Sequence, residues 1–322
     1  MSAPANCTLA TCSIKEYGQI DYIPTLVGNA IYTGIFGFLL LLQVFLGIRY
    51  RTWGFLAGMA CGIVLEVVGY VGRLMLNADI FDKNAFIVYL IGLTIGPAFL
   101  TAAIYLCLSR IITIHALELS LLQPRTIAAV FVACDFVSLL LQATGGGIAA
   151  SATDNDMSQV GVDVMIAGLA SQVVSLAIFM ALCGHFAWKV YKNPNKLNPE
   201  HAALQRTLRF KGFLVGIAIA VLTITARSCY RLAELQDGFS GALANNELVF
   251  MILEGPMIIT AVVALTVWHP GVVLGARLWA DAGFHGKQST TTTTTADHLG
   301  HYKEVIDSSA EQIVMPSLPS QV

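Results

Sequence analysis

Charge is what this sequence has least of. Only 12% of its 322 residues are Asp, Glu, Lys or Arg, against roughly a quarter in soluble domains. The 18 Lys and Arg offset 20 Asp and Glu to a net charge of −2, and the basic residues gather in a few short stretches. No basic field exists for a nucleic acid to meet, so nucleic-acid binding is excluded. A G-x-x-x-x-G-K-[ST] phosphate loop is also missing, because Gly286-Lys287 lacks the spacing and is followed by Gln288. That argues against ATP-driven pumping by this chain alone. The seven histidines stand in loops, at helix ends (His185, His269) or near the C-terminus, so three convergent zinc ligands are not expected within the apolar runs. The sequence therefore predicts no catalytic residue, no metal and no cofactor, and a protein that is not an enzyme. Its start, MSAPANCTLATCSIKEYG, has neither the charged beginning nor the apolar run of a cleaved signal peptide. The first spanning helix is expected to do the targeting.

What the sequence does have is apolar length. Hydrophobic residues make up 56% and mean hydropathy is +0.70, more apolar surface than a soluble chain of this size can hide. A spanning helix needs about 20 mostly apolar residues, and seven such runs occur, at 24–47, 54–76, 84–109, 126–148, 161–188, 210–235 and 247–268. The fold class is all-α: a polytopic membrane protein with seven transmembrane helices. Residues 1–20 read as an extracellular segment, 21–270 as the transmembrane domain and 271–322, with Thr290 to Thr295, as a disordered cytosolic tail. Breaks fall at Arg49 to Trp53, Asn77 to Lys83, a stretch ending at Pro124, Asp154-Asn155-Asp156 and Lys192 to Lys196. Gly96-Pro97 inside the third run predicts a kink whose freed backbone neighbouring helices satisfy.

Orientation follows from the loops. Arg49 and Arg51 follow run one, and Lys189, Lys192, Lys196, Arg206, Arg209 and Lys211 follow run five. Asp154, Asp156 and Asp163 follow run four, and Asp237 and Glu247 follow run six. The positive-inside bias places the N-terminus outside and the C-terminus in the cytosol. Asn6-Cys7-Thr8 is a glycosylation sequon on the outer side. Cys7 and Cys12 share that oxidising side, where they either pair or stay free thiols. The expected home is the plasma membrane, with another endomembrane as the alternative.

Polar residues inside the runs are the candidates for function, since each costs at least ~2.5 kcal/mol on insertion scales. Gly54, Gly58 and Gly62 form a small-residue stripe that continues, on one face, into Glu66, Gly69 and Arg73. Asp135, Ser138 and Gln142 share a face of the fourth run; Arg227, Arg231 and Glu234 share one in the sixth; Glu254 precedes Gly255-Pro256 in the seventh. Counted along the helices, Glu66 lies ~18 Å, Arg227 ~26 Å and Glu254 ~10 Å from the starts of their runs. Glu66, Arg73, Gln142, Arg227, Arg231, Glu234 and Glu254 thus fall in the middle or outer half, with Asp135 nearer the cytosol. The expectation is one shared, partly hydrated cavity opening outward; the alternative is an ion-pair network that only fixes helix packing. Acids outnumber bases by one, which makes proton coupling conceivable.

Several motifs together resemble a known family. Tyr22-Ile23-Pro24 with Asn29, Arg49-Tyr50-Arg51, the stretch Glu66-Val67-Val68-Gly69-Tyr70-Val71-Gly72-Arg73, and Asp135-Phe136-Val137-Ser138 with Gln142 and Gly145-Gly146-Gly147 carry the first part of the likeness. Arg227 to Glu234, Glu254-Gly255-Pro256-Met257 and His269-Pro270-Gly271 carry the rest. In this order they resemble the fungal lipid-translocating exporter family, the RTA-like group named for resistance to aminocholesterol. One departure is Glu254, where the family's pattern has Asp; the charge is kept. The resemblance implies seven spans, an outside N-terminus, and export or flip of sphingoid long-chain bases or related lipids, with links to lipid asymmetry, sterol-targeting drugs and lipid-stress resistance. It implies membrane lipids as partners and an amphipathic lipid as substrate. A second implication is a seven-helix lipid-stress sensor working through cytosolic partners of the 189–211 loop and the tail.

Overall fold

The computed structural model describes residues 11–14, 20, 22–115, 123–152, 155–193, 205, 207–236 and 245–281. The described chain is helical, and seven of its helical segments are long and apolar enough to cross a membrane. Spans one to six are single helices: α1 (Leu26–Tyr50), α2 (Trp53–Ala78), α3 (Lys83–His115), α4 (Pro124–Ser151), α5 (Asn155–Lys192) and α6 (Leu208–Gln236). The seventh is built from α7 (Glu247–Leu253) and α8 (Gly255–Val267), and α9 (Pro270–Asp281) follows.

Every expected run falls on a helix, but the helices outrun the apolar stretches. Helix α5 has 38 residues, ~57 Å at 1.5 Å per residue, well beyond the ~30 Å hydrocarbon core. Asn155 and Asp156, expected in a loop, instead form its first turn, where an acidic side chain suits the N-terminal dipole. His115, also expected in a loop, ends α3. The tail expected from 271 likewise begins with helix: α9 runs to Asp281 across a kink at Gly275, whose φ is 74°, and Leu274 and Trp279 are buried. Arg110 anchors that helix by donating to the Trp279 carbonyl and stacking 3.7 Å from the Trp279 ring. Asn6, Cys7 and residues 282–322 lie outside the described residues; Cys12 is described and is in a disulfide.

Lipid supplies no hydrophobic drive for helices to associate, so close backbone approach has to do it. The glycine stripe of α2 meets a second stripe on α3. A Cβ on Gly62 would stand 2.9 Å from the Gly96 carbonyl, and one on Gly72 would stand 2.6 Å from the Tyr89 nitrogen. Helices α4 and α5 interlock the same way, a Cβ on Gly145 falling 2.6 Å from the Gly161 carbonyl. Outward faces stay apolar, as with Phe38, Leu41 and Phe45 on α1. Cys61, Cys134 and Cys229 lie on such exposed faces; Cys107 is buried. The α1–α2 corner closes at Arg51, whose left-handed φ of 56° lets its N–H and that of Thr52 reach back to the last carbonyls of α1.

A buried charge cluster as candidate functional site

Two prolines act at the same point, Pro97 inside the continuous helix α3 and Pro256 in the first turn of α8. Pro97 has no N–H, so the Leu93 carbonyl four residues earlier in α3 loses its helical donor. Arg227 of α6 supplies one, its Nη2 donating to Leu93 O. The same Nη2 forms an ion pair with Glu254 Oε1. Glu254 occupies the joint between α7 and α8, two residues before Pro256. Nearby, the Tyr32 hydroxyl of α1 donates to the Met251 carbonyl at 2.6 Å. Gly255 is required here, because a Cβ would stand 2.7 Å from the Tyr32 ring and 2.9 Å from the Tyr70 hydroxyl.

Glu66 of α2 completes the group. It is 1% exposed, has no cation within 4.0 Å among the described residues, and its Oε1 has no hydrogen-bond partner. Its carboxyl rests on Gly96, where a Cβ would come within 2.9 Å of Oε1. Arg227, Glu254 and Arg231 are all within its electrostatic reach. A guanidinium already committed to Glu254 and a backbone carbonyl thus stands near a carboxylate with one open oxygen.

Arg231 and Glu234 pair within α6 at 2.6 Å, and the Arg231 guanidinium lies 5.9 Å from the centre of the Tyr89 ring of α3. Arg73 is held without any carboxylate. Its Nε donates to Asn29 Oδ1 at 3.1 Å and its Nη2 to the Tyr22 hydroxyl at 3.0 Å. The Phe250 ring lies 3.9 Å and the Tyr89 ring 5.1 Å from its guanidinium, so aromatic faces replace a counter-ion. Burial pushes the Tyr22 hydroxyl, which precedes the first span, up to about 12, against the pull of Arg73.

Of the eight polar residues picked out in the sequence, Glu66, Arg73, Arg227, Arg231, Glu234 and Glu254 come together, on α2, α6 and the α7–α8 joint. All six are at most 4% exposed. In this conformation helices enclose the set, where an outward-opening cavity was expected. The other two stand apart. Asp135 accepts from Thr101 Oγ1 at 3.0 Å and Tyr105 OH at 2.9 Å on another face of α3. Gln142 Nε2 donates to Gln172 Oε1 at 3.1 Å between α4 and α5. Sequence reasoning missed Tyr32, Tyr89 and the Leu93 carbonyl. Only the carbonyl left a signal, since Pro97 frees it.

A seven-span helical membrane protein with an enclosed ionic cluster is the class these features define. The chain belongs to the RTA1-like protein family: residues 59–277 match the family described as "RTA1 like protein". A relative named sphingoid long-chain base transporter RSB1, from Saccharomyces cerevisiae strain JAY291, is 34% identical over 93% of this chain and 84% of its own. The Saccharomyces cerevisiae protein named RTM1 is 26% identical over 63% of each chain. Another, named RTA1, is 26% identical over 63% of this chain and 62% of its own. No solved structure matches the chain.

Proposed function

We propose that this protein translocates an amphipathic lipid of the sphingoid long-chain base class between leaflets, and that Glu66 receives the ammonium of its headgroup. The observation that carries the reading is Glu66 itself: a carboxylate 1% exposed, without an ion pair within 4.0 Å and with Oε1 unpartnered. An ammonium brings three donors and a positive charge, which such an oxygen accepts. The name of the RSB1 relatives supports the same substrate class. Substrate entry requires the enclosed cluster to open, and Pro97 inside α3 and the joint at Glu254 are the places where α3 and the seventh span can bend.

With the N-terminus outside, the cluster lies in the outer half of the plasma membrane, and the base leaves into the outer leaflet. Sterol-like amphiphiles with a protonatable amine fit the same chemistry. Lipid asymmetry and resistance to toxic lipids follow as consequences. The test is purified protein in liposomes carrying a fluorescent sphingoid base in the inner leaflet. Faster appearance of the base outside than in protein-free vesicles is the expected result. An unchanged rate would refute carriage and favour the sensor reading, in which the 189–211 loop and tail contact cytosolic partners.

A further inference from the structure

Separating Asp135 from the cluster changes the charge balance. Glu66, Glu234 and Glu254 are matched in number by Arg73, Arg227 and Arg231, so the surplus carboxylate is Asp135. It is 4% exposed, and among the described residues no Arg, Lys or His lies within 4.0 Å of it. Thr101 and Tyr105 both donate to Oδ2, while Oδ1 has no partner. The hydroxyl pair Ser138–Ser171 at 2.7 Å sets the register of α4 against α5. One turn further along α5, level with Asp135, stands Ser175, 7% exposed and with its Oγ also unpartnered. Two buried polar atoms without partners thus occur at the same level of the bundle.

A lone ionised carboxylate at this depth is costly unless a cation accompanies it. The ring centroids of Tyr105, Phe131 and Phe179 lie 4.6 to 5.6 Å apart, packed in mutual contact beside Asp135. A proton is the cation that needs no room beyond the open Oδ1. Among titratable groups, Tyr105 faces it from α3. Along α5 the nearest to Ser175 is Cys183, eight residues on, or ~12 Å. On α4 itself Cys134 is exposed. We propose that Asp135, with Thr101 and Tyr105, is a proton-binding site that links lipid translocation to a proton gradient. The proton joins Oδ1, which has no partner, to give the neutral carboxylic acid, while Oδ2 keeps its two hydroxyl donors. Releasing that proton restores the carboxylate, and no other reactant takes part.

The linkage rests on the transport reading, but the proton site does not, so two measurements separate them. Infrared spectra of the purified protein at neutral pH should contain the C=O band of a protonated carboxyl that Asp135→Asn lacks. Identical spectra in that region would overturn the site whether or not lipid moves. In liposomes, an imposed pH gradient should speed wild-type translocation several-fold, while Asp135→Asn should move base at one rate with or without the gradient. A wild-type rate indifferent to pH, a full gradient response in Asp135→Asn, or stimulation by a sodium gradient instead would overturn the coupling. An inert wild-type protein whose band is nevertheless lost in Asp135→Asn would sink the transport reading, and the coupling with it, while leaving the proton site standing.

Discussion

The third span separates two ways of keeping charge inside a membrane. Gly96 and Tyr105 are nine residues apart, which on an α-helix is half a rotation. Towards Gly96, carboxylates and guanidiniums are equal in number, two of each in direct ion pairs, and the Pro97 gap is filled by Arg227. Towards Tyr105, a single carboxylate lives on two hydroxyls and no cation. The first arrangement depends on its two ion pairs, because Arg227 and Glu254, and Arg231 and Glu234, each offset the other's charge. The second depends on one proton, and its neighbours are uncharged.

That contrast predicts unequal costs. The largest should come from Arg227→Gln, which strips Glu254 of its partner and Leu93 O of its donor at once. Breaking a buried pair costs ~3–5 kcal/mol, so thermal unfolding in detergent should show a large loss of stability. An unchanged melting temperature would mean that the cluster is not an interdependent network. Next, Gly92→Val should cost ~1–3 kcal/mol through overpacking, since a Cβ there would sit 2.6 Å from the Gly69 nitrogen. Gly147→Val, where nothing lies within 4 Å of the added Cβ, is the matched control. Its melting temperature should equal wild type, and equal losses in both variants would contradict the close α2–α3 approach.

Glu66→Gln should be milder for stability than Arg227→Gln, because Glu66 is no other residue's direct ion-pair partner. Cell-surface abundance should stay near wild type while growth on a toxic sphingoid base falls; lost abundance would make Glu66 structural. The smallest effect belongs to the other side of α3. Replacing Gln142 and Gln172 together by Leu removes both ends of one hydrogen bond, a change that is close to neutral when shapes match. A melting temperature several degrees lower would show that the α4–α5 polar contacts matter as much as the ionic ones.

The seven spans were legible because bilayer thickness sets a length that apolar runs either meet or miss. Their true ends were not: Asn155, Asp156 and His115 are polar residues that continue a helix beyond the apolar stretch. Gly255-Pro256 was visible as a motif, but the break at Glu254 depends on Tyr32 and Arg227 from other helices. Periodicity placed Glu66, Arg73, Arg227, Arg231 and Glu234 on inward faces correctly. It could not tell which neighbour a face meets, which is why Asp135 and Gln142 were grouped with residues they do not touch.

The central claim is that Glu66 handles the positive end of a lipid. Its most direct test is translocation in liposomes of a fluorescent sphingoid base and of its N-acetylated analogue, which has no ammonium, by wild type and Glu66→Gln. The account predicts that wild type moves the amine much faster than the amide and that Glu66→Gln erases this preference. Equal rates for the two lipids in wild type, or an intact preference in Glu66→Gln, would contradict it.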